Sequence, residues 1–243
     1  MAHTVDEIKK SVKEDFLPVL RKKFDDLESL VLYGSAVKGS FVEGVSDVNL
    51  LVLTKETHPD RIIELGKESA KLIRRLRLSL HFLTVDEFLN SADVFPMEYF
   101  DIQQDHEILW GQDPAEKLQL SKKELRHQLE ERLRGSVNGL RQSLLSSQGR
   151  EKAITQTLID LSGAQAAQMR AALRLIDHSE IPKENRRLFE EVGRAFDLDG
   201  SAMIELLQLR ETGKTDSAAD IAAATLRFLT ALTRKIDSLS KES

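Results

Sequence analysis

The 243-residue chain is 41% hydrophobic and 31% charged, an ordinary balance for a globular protein with length enough for two domains. Its net charge of −5 argues against a broad nucleic-acid-binding surface, and the lack of any cysteine excludes disulfides and thiolate metal sites. The N-terminal MAHTVDEIKKSVKEDF has no apolar signal core, and no apolar run approaches the roughly 20 residues that span a bilayer, so a cytoplasmic protein without a membrane partner is expected.

Apolar side chains at Val5, Ile8, Val12, Phe16, Leu17 and Leu20 predict a helix from about Val5 to Phe24. LESLVLYGS rises into an apolar run ending at Gly34, a buried strand followed by a turn, and SDVNLLVLT is a second strand. Because strand side chains alternate, Asp47 and Asn49 share one face of it, and Val48 and Leu50 the other. A helix is predicted from His58 to Arg75, then a third strand to about Leu83, with Thr84 capping a short helix. HEILWGQDP reads as a last strand and exit turn.

From Ser121 the pattern changes. Leu125, Leu129, Leu133, Val137, Leu140 and Leu144 form one helical stripe, and Ile154, Leu158, Leu161, Met169, Leu173 and Ile176 a second. Shorter helices are predicted over Lys183 to Phe196 and Ser201 to Arg210, and a final one from about Ser217 to Leu239. The breaks SSQG, HSEIP, DLDG and ETGKTD are turn-rich, so the stripes are the core of a helical bundle rather than cofactor boxes.

The chemistry is concentrated between Val31 and Leu53. A glycine straight after a strand permits a tight turn and close approach of the backbone to a phosphate, which assigns that place to Gly34. The Ser35 hydroxyl and neighbouring N–H groups can hydrogen-bond phosphate oxygens, and Lys38 adds a positive charge to the loop. Asp47 opens the next strand, from which a carboxylate can hold Mg²⁺ against a triphosphate.

This strand, Gly34-Ser35, Lys38-Gly39, then Ser46-Asp47-Val48-Asn49 resembles the nucleotidyltransferase superfamily, which includes DNA polymerase beta and the aminoglycoside nucleotidyltransferases. The resemblance implies an α+β fold: a small nucleotidyltransferase-like mixed-sheet domain over residues 1–115, followed by an all-α helical bundle over residues 116–243. It implies nucleotide binding by Gly34, Ser35, Lys38 and Ser46, with Asp47 as metal ligand and Asn49 and His81 at the other catalytic positions. It further implies that the bundle closes over the loop and helps choose the acceptor.

Active members of the superfamily hold two metal ions with three carboxylates, and here one remains. Asn49 replaces the second, and between Arg74 and Thr84 no Asp or Glu occurs, so the later strand offers Ser79 or His81. Two unit charges about 4 Å apart interact by roughly 4 kcal/mol at an effective dielectric near 20, so losing two carboxylates weakens a metal site by orders of magnitude. Asn49 and His81 can still donate an oxygen and a nitrogen, so the metal expected is a weakly held Mg²⁺ carried with the triphosphate.

The function expected is binding of a nucleoside triphosphate and transfer of a nucleotidyl group to a hydroxyl of an unnamed acceptor. The alternative is a catalytically impaired pseudoenzyme that senses nucleotide. In either case a second copy or a protein partner is expected to meet the C-terminal helices. The basic run Lys71 to Leu78 reads as a solvated helix end favoured by the macrodipole. Glu98, Asp101 and Asp105 form an acidic group in which one could serve as a general base, although solvation is the simpler reading. Arg170, Arg174 and His178 lack the Arg-to-His spacing of an RNase motif, and Trp110 is expected to anchor the junction of the two domains.

Overall fold

Residues 4–39, 41, 43 and 46–239 are described in the computed structural model, which divides into two units, residues 1–120 and 121–243. Ser40, Val42, Gly44 and Val45, inside the loop assigned to phosphate, lie outside the described residues.

Unit 1 is built on a four-stranded mixed sheet of order β3-β2-β1-β4, from β1 (Leu27–Tyr33), β2 (Val48–Thr54), β3 (Leu78–Thr84) and β4 (His106–Gly111). β1 pairs antiparallel with β2 and β4, while β3 runs parallel to β2 at a constant offset, Val48 opposite Leu78 and Thr54 opposite Thr84. A parallel neighbour needs a crossover, and α4 (Pro59–Glu68) and α5 (Ala70–Leu76) supply it. Sequence periodicity predicts one helix there, but the chain breaks at Ser69 and restarts.

Alternation divides each strand between two cores. Leu30, Leu32, Val48, Leu50 and Val52 pack with Ile8, Val12, Phe16 and Leu20 of the N-terminal helices and with Leu65 and Leu76 of the crossover. Those N-terminal helices, α1 (Val5–Ser11) and α2 (Leu17–Lys23), are joined by a π-helical turn at Val12–Phe16 that apolar spacing does not foretell. Val31, Leu51 and Leu53 point the other way, toward Phe88 of α6 (Val85–Asn90) and Tyr99 and Ile102 of α7 (Pro96–Gln104). Ala115 and Leu118 are buried in this second core, so the chain just beyond residue 115 still packs with unit 1. Trp110, expected at a domain junction, packs within unit 1 with the Arg21 guanidinium 5.2 Å from its ring.

Asp26 ties β1 to the segment after β2. Its carboxylate accepts from the backbone N–H groups of Lys55 and Glu56, each at 3.1 Å, and from His58 Nε2 at 3.0 Å. Burial pushes this carboxyl up, but the His58 ring and the backbone donors outweigh it and hold it below the usual carboxylate range. A depressed carboxyl contributes stability above its unfolded pKa and loses it as pH falls through the folded one. Asp26→Asn should therefore lose less stability than wild type between pH 6 and about pH 3.5. Urea unfolding at the two pH values checks this, and equal acid losses in both proteins would refute it.

Unit 2 is all helical: α8 (Lys122–Ser147), α9 (Glu151–Leu175), α10 (Asn185–Phe196), α11 (Ser201–Thr212) and α12 (Ala218–Ser238). α8 and α9 pack on each other, α12 packs on both, and α10 and α11 pack on α9. The predicted stripe residues Leu125, Leu129, Leu133, Val137 and Leu140 are buried together with Ile154, Leu158, Met169 and Leu173. The SSQG break is a left-handed stop, Gln148 and Gly149 both at positive φ. His178 bonds the Glu180 carbonyl and the Glu191 carboxylate, a structural arrangement. A mixed sheet with helices followed by helices is the α+β class expected from sequence, and among the described residues no helix is long and apolar enough to cross a membrane.

Candidate functional site

The second face of the sheet turns polar where β1 ends. Tyr33 pairs with Asn49 and Asn49 with Ser79, so these three form one row across β1, β2 and β3. His81 lies on the same face of β3, opposite Leu51. Tyr33 reaches across β2 to place its hydroxyl 3.2 Å from His81 Nδ1. Burial, helped by the charge of Glu98 and by Tyr99, holds the Tyr33 phenol well above its usual pKa, so it stays protonated beside the ring. His81, predicted as a catalytic residue, thus has Nδ1 committed to Tyr33, leaving Nε2 for any ligand.

Gly34 follows Tyr33 with φ 79° and ψ −148°, a conformation essentially restricted to glycine. A Cβ built there would stand 2.6 Å from Asn49 Nδ2, so the asparagine amide fills the space that the glycine leaves. Ser35 opens the single helical turn α3 (Ser35–Lys38), where the sequence suggested an irregular loop. The Gly34 carbonyl accepts from the N–H groups of Val37 and Lys38, each at 3.1 Å.

Lys38 departs from expectation. It is 6% exposed, and its ammonium is bound to the Asp101 carboxylate of α7. A buried ammonium requires such a partner, so its charge fastens α7 to the turn instead of facing a phosphate. Asp101, read as a general-base candidate, is that partner.

Ser46 lies at the bend before β2, with Asp47 next. One oxygen of Asp47 accepts from Arg77 Nη2 at 2.9 Å, with both side chains substantially solvated. Arg77 ends α5 in the left-handed region at φ 53°, which costs a non-glycine residue about 1 kcal/mol. Its carbonyl accepts from Val48 N–H at 2.9 Å. The row-and-turn arrangement therefore unites Gly34, Ser35 and Asn49, sets His81 beside them through Tyr33, pairs Asp47 with Arg77, and withdraws Lys38. Sequence reading missed Tyr33 and Arg77, and saw Asp101 as a base candidate but not as the partner of Lys38. Arg77 had no signal of its own, because its place beside Asp47 depends on the register of β2 and β3, which starts at Val48 opposite Leu78.

Residues 5–109 match the family described as Nucleotidyltransferase domain. The match places a nucleotidyltransferase domain in this stretch of the chain, within unit 1, and nucleotidyl transfer is the general chemistry of that domain. Among solved structures, the spectinomycin adenyltransferase AAD(9) from Enterococcus faecialis, solved with ATP and spectinomycin, is similar with a TM-score of 0.57 and 14% identity. The match covers 91% of this chain and 96% of that one, and at such identity it shows the fold. A tri-AMPylated Shewanella oneidensis HEPN toxin in complex with MNT antitoxin is 21% identical over 43% of this chain and 73% of that one. Its TM-score of 0.28 is too low to carry an argument. No curated protein sequence matches.

A divalent ion usually accompanies the triphosphate in this chemistry. Hard cations take six or more oxygen ligands, yet the donors here are one carboxylate already bonded to a guanidinium and one amide. Among the described residues no group of three His, Cys, Asp or Glu side chains could hold a metal. A resident two-metal centre does not fit this donor set.

Proposed function

We propose that unit 1 binds a nucleoside triphosphate at the Gly34–Ser35 turn, beside Asn49 and Asp47, and passes its nucleotidyl group to a hydroxyl of an acceptor. The observation that carries this reading is the glycine turn at the end of β1 with the Asn49 amide seated against it. The family match of residues 5–109 supports it, and the ATP held by AAD(9) makes an adenine nucleotide the first to try. A Mg²⁺ ion brought in on the triphosphate would meet Asp47 as its protein carboxylate.

The second reading is nucleotide binding without transfer, favoured by the substitution of Asn49 for a carboxylate and by the lack of one on β3. Under this reading the helices of unit 2 bind a protein partner or a second copy.

Calorimetry with ATP tests the shared premise. Ser35→Ala should weaken binding about tenfold, the worth of one hydrogen bond to a charged oxygen. Unchanged affinity would remove the turn from the site. Pyrophosphate release in the presence of hydroxylated acceptors separates the two readings, because only the first produces it.

A further inference from the structure

We propose that Arg77 supplies the cationic charge of this site and grips the phosphates directly, so that triphosphate binding does not require a divalent ion. The proposal rests on the reading of Gly34–Ser35 as the phosphate turn.

Placement is the first argument. The parallel register starts at Val48 opposite Leu78, so Asp47 and Arg77 are the residues just before it on the two chains, and the backbone bond from Val48 N–H to the Arg77 carbonyl holds them there at the mouth of the site. Asp47 stands two residues, about 7 Å, ahead of Asn49 along the chain, and Asn49 touches the Gly34 turn. A guanidinium anchored at Asp47 is thus within a triphosphate's reach of the turn. It is a planar fork of donors that matches phosphate oxygens in pairs, as it matches the carboxylate it now holds.

Charge is the second argument. Three carboxylates repel a triphosphate until divalent ions offset them, which is why such a site depends on metal. Here Asn49 is neutral, Ser79 stands across from it on β3, and Asp47 is matched by Arg77. The end of the sheet thus offers one carboxylate, already matched by a guanidinium, where a two-metal site would offer three. Lys38 cannot take the role, because it is buried against Asp101.

Helices ending in the left-handed region most often place glycine there. α5 ends on Arg77 at φ 53°, as α8 and α10 end on Gln148 and Asp197, and the Arg77 side chain is 45% exposed. In this picture Asp47 is a positioning residue that holds the guanidinium until phosphate arrives.

The test is calorimetric titration of the full chain with ATP, once in excess Mg²⁺ and once in excess EDTA. Wild type should bind with affinities within about threefold of each other. Arg77→Gly suits the left-handed backbone, so it should melt no lower than wild type while losing at least tenfold in affinity under EDTA. Arg77→Lys keeps the charge without the fork and should fall between them. Wild-type binding that disappears in EDTA, or an Arg77→Gly protein that binds as tightly as wild type, overturns the role of Arg77 and leaves the phosphate turn standing. No ATP binding under either condition overturns both.

Discussion

Lys38→Met should destabilise unit 1 by about 3 kcal/mol, the lower end of what removing one partner of a buried ion pair costs. The lysine is 6% exposed and the Asp101 side chain 19%, so the carboxylate left behind keeps some access to water, which places the loss at that lower end. The same argument sets the companion result. Lys38→Met combined with Asp101→Leu leaves no charge behind and should lie within about 1 kcal/mol of wild type. A double-mutant cycle by urea unfolding, following the transition of unit 1, would then give a coupling of at least about 2 kcal/mol. A single substitution that loses less than 1 kcal/mol would mean that the pair does not fasten α7 to the turn.

Gly34→Ala is expected to lose about 2 kcal/mol of stability and most of the triphosphate affinity. Two effects combine. The backbone at φ 79° and ψ −148° is strained for any residue with a Cβ, and that Cβ would sit 2.6 Å from Asn49 Nδ2. The amide is the far end of a flexible side chain and can swing away, so the steric part falls on the site more than on the fold. Asn49→Ala separates the two. In that background Gly34→Ala should still lose the backbone part of about 1–2 kcal/mol, while affinity should fall no further. If Gly34→Ala binds ATP as wild type does, the turn does not contact phosphate.

The elements were legible where one physical signal dominated. Apolar runs such as LVLY and NLLVL announced central strands, and the leucine stripe from Leu125 to Leu140 announced a buried helix face. Thr84 was legible as a cap because a threonine three residues before Glu87 forms a capping box, which the structure contains. The π-helical turn at Val12–Phe16 and the break at Ser69 were not, since both keep the apolar residues on their helical face and leave the spacing intact.

The glycine turn and the Asp47–Asn49 spacing were visible because they are local. Lys38 looked like a phosphate ligand because nothing near it in sequence reveals Asp101, which arrives on a different helix. Arg77 was hidden inside RRLR, where Arg74 and Arg75 are the solvated helix end that the composition suggests and Arg77 is turned aside by its left-handed backbone. Tyr33 was read as part of an apolar strand, and only the register of β1, β2 and β3 reveals that its hydroxyl crosses to His81.

The division of the chain at residue 120 has a consequence for how the protein is made. Tyr33 meets His81 across 48 residues and Lys38 meets Asp101 across 63, so both closures are available once the chain has been extended past α7. Every contact described around the turn lies upstream of unit 2. At about 5–20 residues per second, synthesis of the roughly 120 residues that follow takes about 6–24 s, far longer than a small domain needs to fold. Both closures of the Gly34 turn can therefore form during synthesis, before the helical unit has been made.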